Sequence, residues 1–350
     1  MSKKRKKSSR SYTSARITHI LAVIGTTLLF IIVAAFIALL ILFKGPSDTA
    51  KKEAVNTFTE MSAMKWVPKM FLPAEEVQSI LDASRMVEVE AGTVTNLDLI
   101  DTTVSTVSDS QEPIEIQDVT GSSYKGKLMI IRDPSKVFLG TVPEFYEGPG
   151  EVVADIISHY PGAVAGVNGG DFVDMGSYSY TAQPLGAIIS NGEVVFCAGD
   201  YDTPYHLSGF TSDNKFFMGN ITINEALNMG VRDAVYTVHE TGPFLVMDGE
   251  ALINEVPDSA TYGGGKNPRT AIGQRADGSI ILLVVDGRQA NSLGATFKDL
   301  AYVMLDYGAV NACAMDGGTS SQMVYYGEVI NNPYSPTGPR KCPTAWLVYE

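Results

Sequence analysis

The chain has 350 residues, 45% of them hydrophobic, which is enough apolar material for one large domain or two ordinary ones. Its formal net charge is −13, but the charge is uneven: removing the eight basic residues of positions 1–44 from the chain's 26 leaves 18 against 39 acids, a net −21. So acidic a body argues against nucleic acid as a partner, and a polyanionic ligand would need a local basic pocket.

Residues 1–16 carry seven Lys/Arg and no acid, and the 24 residues from Ile20 to Phe43 carry no charge. A bilayer-spanning helix needs about 20 apolar residues. The run exceeds the ~7–15 residues of a signal-peptide core, and Phe43-Lys44-Gly45-Pro46 is not a small-residue cleavage site. An uncleaved anchor over residues 17–43 is therefore predicted. The basic tail 1–16 stays in the cytoplasm by the positive-inside tendency, which makes this a single-pass membrane protein with an extracytoplasmic domain.

Residues 44–121 read as a membrane-proximal stalk or linker. "KKEAVNTFTEMSAMKW" and "PAEEVQSILDASRM" have helical apolar spacing, and Pro73 followed by Glu75 and Glu76 suits a helix start. The turn-rich stretch Ser108–Ser123 is taken as the domain boundary, with the main domain at 122–350.

From about Tyr124 the texture changes. Short β-rich runs ("KLMIIRD", "AVAGVN", "LGAIIS", "EVVFCAG", "PFLVMDG", "SIILLVVDG", "VINNP", "TAWLVY") are punctuated by Gly, Asn and Asp. Helical stretches are fewer: "GEVVADIISHY", "TINEALNMG" and "ATFKDLAYVMLDYG". Thr222 suits an N-cap for the second, and Thr296 with Asp299 resembles a capping box for the third. There is no regular βαβ alternation, so the fold class expected is α+β: a mixed β-sheet domain with few helices behind one transmembrane helix.

An internal echo runs through this domain. In each copy a helix feeds a Gly-Ala-Val strand that ends in Asn- or Asp-Gly-Gly, and a Gly-Glu-Val turn follows. The echo sets Asn168 and Asp316 at matching strand ends, facing one cleft. The three cysteines, Cys197, Cys313 and Cys342, fit no metal motif and read as small buried residues, with one disulfide as the alternative. Four scattered histidines make a zinc site improbable, and His239 and Glu240 have only nearness in sequence to recommend them.

Four stretches share one feature, a strand that ends in a polar residue beside glycine: "GVNGGDF", "NPRTAIG", "VVDGRQ" and "AMDGGTSS". Glycine there removes side-chain bulk, so a ligand can touch backbone N–H groups. Asp-Gly is equally an ordinary hairpin turn. Ser320 and Ser321 suit a turn cap, because "DGGTSS" is not G-x-S-x-G. Clustered Asp and Asn also suit calcium, but no loop has EF-hand spacing, so no cofactor or metal is expected, calcium being the alternative.

These motifs, together with "RTAIGQRADGSIILLVVDGRQ" and "GATFKDLAYVMLDYGAVNACAMDGGTSSQMVYYGEVINNP", resemble the phosphodiester glycosidase family in order and spacing, from about Lys127 to Tyr349. The resemblance implies hydrolysis of a sugar-1-phosphate diester between the anomeric carbon and the phosphate oxygen. It places Asn168, Arg269, Asp286, Asp316 and Ser320 at the family's invariant positions. Two departures stand out. An aromatic residue usually follows the double glycine Gly169-Gly170, but here Asp171 does, before Phe172. A third glycine usually follows Gly317-Gly318, but here Thr319 does.

The chemistry so implied is coherent. A phosphate monoester leaves readily, its second pKa being about 6, so charge stabilisation matters more than a strong general acid. Arg269 is the fork-shaped partner for the phosphate, and Asp316 or Asp286 serves as nucleophile or as base for water. Asn168, Gly169, Gly170, Asp171, Thr270, Arg288, Gly317, Gly318 and Ser320 line the substrate. The expected substrate is a carbohydrate phosphodiester in an envelope or secreted glycopolymer. The alternative is a non-catalytic carbohydrate-binding or exopolysaccharide-assembly module on the same fold.

Overall fold

The computed structural model describes residues 3–61, 63–103, 112–175, 179–237, 244–253, 263–335 and 338–350, with side chains from Arg16 on. Helix α1 (Lys3–Lys44) contains the apolar run, and its part Arg16–Lys44 is long and apolar enough to cross a membrane. Three short helices follow: α2 (Asp48–Thr59), α3 (Pro68–Phe71) and α4 (Ala74–Ala83). Ser47 caps α2 by accepting from Ala50 N at 3.2 Å, and Pro73 precedes α4. Phe43, at the end of α1, is fully buried with Val55, Val67, Leu72, Val77 and Ile80 in a small core of this helical lobe.

The strands are, in chain order, β1 (Ile114–Thr120), β2 (Lys125–Ile131), β3 (Val137–Thr141), β4 (Ala163–Asn168), β5 (Phe172–Asp174), β6 (Ser179–Pro184), β7 (Ala187–Ser190), β8 (Glu193–Cys197), β9 (Tyr205–Thr211) and β10 (Phe216–Ile221). After them come β11 (Val231–Tyr236), β12 (Phe244–Met247), β13 (Glu250–Ala251), β14 (Arg269–Arg275), β15 (Ile280–Val285), β16 (Ala309–Ala314), β17 (Met323–Tyr325), β18 (Glu328–Val329) and β19 (Thr344–Tyr349). Helices α5 (Val153–Ser158), α6 (Ile223–Asn228) and α7 (Phe297–Asp306) fall on the three predicted stretches. Thr222 with Glu225, and Thr296 with Asp299, form full capping boxes.

The expected β-rich α+β domain with few helices is present. Its strands form a seven-stranded sheet (β1-β2-β15-β14-β16-β12-β13), two five-stranded sheets (β10-β9-β11-β7-β8 and β18-β17-β4-β19-β3) and the β5-β6 pair. Every described strand pair is antiparallel, so the sheets are mixed in strand order and not in direction. Hairpins and short links join antiparallel strands without the crossover helix that a parallel pair needs. β15 is buried along its whole length between β2 and β14, as its uninterrupted "IILLVV" requires. Met129, Phe210, Phe244, Ile272, Leu282 and Trp346 meet in the main core, and α7 covers the other face of the large sheet through Leu300 and Met304.

Contacts run across the expected boundary at residue 121. β1 is the edge strand of the large sheet, in seven-residue register with β2. Val89 lies in the main core, Val94 bridges Gly219, and Asp101 N donates to Ala276 O at 2.9 Å. Met86, Val89, Val94 and Asp101 of the membrane-proximal region thus pack on the main domain. All three cysteines are free, and Cys313 and Cys342 are buried.

Candidate functional site

The site forms where two sheets touch. β16 runs through the large sheet between β14 and β12, and beyond its end Met315 N donates to Thr270 O at 2.9 Å. The next residue crosses over: Asp316 N donates to Gly169 O at 3.1 Å, at the end of β4 in a different sheet. Asn168 fastens the junction. Its Nδ2 donates to Asp316 O at 2.6 Å, and its Oδ1 accepts from Thr270 Oγ1 at 2.8 Å and Gln322 N at 3.3 Å. Asn168 and Thr270 are fully buried, and these side chains hold the junction together. The double glycine allows the approach: a Cβ on Gly169 would strike Thr344, and one on Gly170 the Tyr236 carbonyl.

The Asp316 carboxylate lies beside this joint. Its Oδ2 is buried with no hydrogen-bond partner among the described residues. Burial, then the nearby Asp171 carboxylate, pushes the Asp316 pKa up to about 7, against the pull of Arg340 and of the Ser320 hydroxyl. Ser320 lies close enough to exert that pull, yet its Oγ also lacks a hydrogen bond of good geometry among the described residues. The departure at Asp171 thus bears directly on Asp316.

Arg340 closes one side. Its Nη2 donates to Asp174 Oδ2 at 2.7 Å and to Ser179 Oγ at 2.8 Å, and its Nη1 to Thr319 Oγ1 at 3.3 Å. The guanidinium stands 4.9 Å from the Phe172 ring centroid. A cleft of about 490 Å³, lined by Gly148, Pro149, Ser179, Tyr180, Thr181 and Pro339 to Lys341, opens beside it.

On the other side the basic groups divide. The Arg269 stem packs near Gly317, but its head is spent elsewhere. Nη2 meets Glu60 Oε2 at 2.5 Å and Gly265 O at 2.7 Å, Nε meets Ala295 O at 3.1 Å, and the Phe297 ring centroid lies 3.9 Å away. Glu60 follows α2 and also accepts from Gly265 N at 2.7 Å and Asn267 Nδ2 at 2.8 Å. Arg288 reaches towards Gly318, in whose left-handed turn (φ 63°) a Cβ would sit 3.3 Å from Nη2. Nε and Nη2 of Arg288 donate to Asn267 Oδ1, and Nη1 has no hydrogen bond among the described residues. Burial and then the charge of Arg269 lower the Arg288 pKa to about 10, so it stays cationic at neutral pH.

Asp286 is tied to a loop. Its Oδ1 accepts from Asn331 Nδ2 and Asn332 N, both at 2.9 Å, and so anchors the loop after β18. The structure therefore gathers Asn168, Gly169, Gly170, Asp171, Thr270, Asp316, Gly317, Gly318, Ser320 and Arg288 around one junction. It turns the charged head of Arg269 towards Glu60 and the Asp286 carboxylate towards the 331–332 loop. Sequence reasoning missed Glu60 and Asp174 and left Arg340 outside the site. Their positions depend on contacts 166 to 209 residues apart, which no local pattern encodes. His239 and Glu240 lie outside the described residues. Among the described residues, no cluster of three or more His, Cys, Asp or Glu is placed to hold a metal ion.

The half-buried Asp316 carboxylate thus lies at the meeting of two antiparallel sheets, within electrostatic reach of Arg340 and Arg288. The family profile described as phosphodiester glycosidase matches residues 161–349, more than half the chain, and the chain belongs to that family. The SPbeta prophage-derived uncharacterized protein YomE of Bacillus subtilis (strain 168) is 48% identical over 67 residues, 19% of this chain and 10% of its own length. The N-acetylglucosamine-1-phosphodiester alpha-N-acetylglucosaminidase of Bos taurus is 26% identical over 162 residues, 44% of this chain and 30% of the relative. The match thus spans less than a third of either curated relative. The catalytic domain of the zebrafish N-acetylglucosamine-1-phosphodiester alpha-N-acetylglucosaminidase, solved auto-inhibited by its pro-peptide, has the same fold. It superposes with a TM-score of 0.57 at 23% identity, over 69% of this chain and 85% of that one.

Proposed function

We propose that this protein is a membrane-anchored hydrolase that cleaves sugar-1-phosphate diester linkages, of the N-acetylglucosamine-1-phosphate type, in an envelope or secreted glycopolymer outside the cytoplasm. The observation that carries the reading is the half-buried Asp316 carboxylate, its buried Oδ2 unsatisfied among the described residues and within electrostatic reach of Arg340 and Arg288. A buried carboxylate oxygen left without a partner is an exception of the kind that marks a functional site. Ionised, Asp316 attacks the anomeric carbon or takes a proton from the attacking water; the bond from that carbon to the phosphate oxygen breaks, and a phosphate monoester leaves. Arg288, whose Nη1 makes no hydrogen bond among the described residues, receives the phosphate charge, because Arg269 is already neutralised by Glu60 and Arg340 by Asp174. Gly169, Gly170, Gly317 and Gly318 bring backbone close to the sugar, Asn168 and Thr270 hold the junction, Ser320 lines it, and Asp286 orders the neighbouring loop.

One observation favours the second reading, a carbohydrate-binding module. The ion pair between Arg269 and Glu60 needs no ligand. Turnover separates the two. The full chain in detergent, given a methyl-linked N-acetylglucosamine-1-phosphate diester, is expected to release N-acetylglucosamine. Asp316→Asn is expected to retain the fold and to lose at least about 10³-fold in kcat, as loss of an acid–base or nucleophilic group does. Equal turnover by the two proteins would move the chemistry to Asp286, and binding without turnover by either would establish the module.

A further inference from the structure

We infer that the turn of chain around α3 is a second membrane contact, seated in the lipid headgroup region beside the end of α1. The inference rests on the reading of α1 as a membrane anchor. Residues 63–72 wind in short hydrogen-bonded turns, Val67 N to Met64 O at 2.9 Å and Met70 N to Val67 O at 3.0 Å. Val67, Pro68 and Leu72 face inward to the helical lobe. Trp66 and Met70 face outward, 57% and 60% exposed, although both are large and apolar. An exposed pair of this kind on an otherwise acidic body needs an occupant.

The depth of the pair selects lipid. The uncharged run Ile20–Phe43 is about 36 Å long at 1.5 Å per residue, against a hydrocarbon thickness of about 30 Å. Roughly one turn is left over. Phe71, the last residue of α3, stacks on Phe43 with ring centroids 5.2 Å apart, and it also reaches Phe36 at 5.7 Å. Phe36 lies about 10 Å further down the axis of α1. The α3 turn therefore lies alongside the last two turns of α1, at the level where hydrocarbon gives way to headgroups.

The chemistry fits that level. Tryptophan favours the interface, and here its Nε1 already donates to Ala63 O at 3.0 Å, so the indole can leave water without an unpaired donor. Lys65 and Lys69 are exposed beside it, and residues 61–72 contain no acid. Their long stems reach along apolar surface while the ammonium groups meet lipid phosphates. The acid nearest in sequence, Glu60, is turned inward on Arg269.

The chain has two tryptophans, and the other, Trp346, is fully buried in the main core, so lipid-borne quenchers read Trp66 selectively. The full chain would be reconstituted into phosphatidylcholine–phosphatidylglycerol vesicles, floated on a density gradient, and its fluorescence compared with and without lipid brominated near the headgroup end of the acyl chain. We expect the brominated lipid to remove more than half of the Trp66 emission, defined as the part lost in Trp66→Phe. Lipid brominated near the chain end should quench less, and Lys65→Glu/Lys69→Glu should weaken the quenching. Trp66→Phe should keep the shielded Trp346 spectrum, which reports an intact fold. Unquenched Trp66 in protein that floats with the vesicles would overturn this contact while leaving the anchor standing. Protein that fails to float would overturn the anchor and this contact together.

Discussion

Asp316 shows what a change of neighbours does to one carboxyl group. An isolated aspartate titrates near 3.8, whereas here burial and Asp171 push the value up to about 7. If Asp316 must be ionised to act, kcat/KM rises with pH and levels off above about 7. The neighbours then predict opposite displacements. Asp171→Asn removes a negative charge that disfavours ionisation, so the rising limb moves to lower pH. Arg340→Gln removes a positive charge that favours it, so the limb moves to higher pH. Profiles of kcat/KM for the three proteins test the pair of shifts, and limbs that coincide would remove Asp316 from the titrating step. A shift of about one pH unit corresponds to roughly 1.4 kcal/mol of interaction, within reach of charges that share a partly buried cleft. The sequence sets Asp316 and Asp171 beside glycines at one expected site, but it does not say that Asp171 stands near enough to raise the Asp316 pKa. That depends on the strand-to-strand step from Gly169 to Asp316, made by residues 147 positions apart in the chain.

At the scale of elements, local chemistry reads well and long-range pairing does not. Thr222 and Thr296 cap helices because a hydroxyl and a carboxylate three residues on satisfy free N–H groups, a rule written in four consecutive residues. The echo between the two halves also holds as geometry: α5 leads into β4, α7 leads into β16, and the two strand ends meet through Asn168 and Asp316. Nothing in "NTFTEMS" announces that Glu60 will cross to the loop before β14. It does so because Arg269, only 6% exposed, needs a counter-charge, and α2 ends where it can supply one. Glu60→Gln keeps the shape and removes the charge, leaving Arg269 buried beside Arg288 without compensation. Such a loss costs on the order of 3 kcal/mol. We expect a fall of several degrees in Tm and an earlier urea midpoint with unchanged slope, whereas Glu75→Gln, on the exposed side of α4, should change neither.

For the whole molecule, the question is where the folded body of the family domain begins. Composition places the boundary at residue 121, because the polar, turn-rich run Ser108–Ser123 resembles a linker. Packing places it earlier. Cutting at 121 would strip β1 from the edge of the large sheet and expose the paired edge of β2. It would also remove Val89 from the main core and Met86 from the cluster under α7, and break the bridge from Val94 to Gly219. Arg269 would lose Glu60 at the same time. Each loss alone is of the size that destabilises a domain by a few kcal/mol, and a typical domain holds only about 5–15 kcal/mol in total. Fragment 45–350 loses little by comparison: among the fully buried residues only Phe43 goes with α1, and it belongs to the small core of the helical lobe. We therefore expect 45–350 to unfold cooperatively in urea and to give the dispersed spectrum of a native protein, while 122–350 is aggregated or unfolded at the same temperature. If 122–350 shows a cooperative transition within a few degrees of the longer fragment, residues 45–121 are an accessory, and the ion pair of Glu60 with Arg269 is dispensable to the fold.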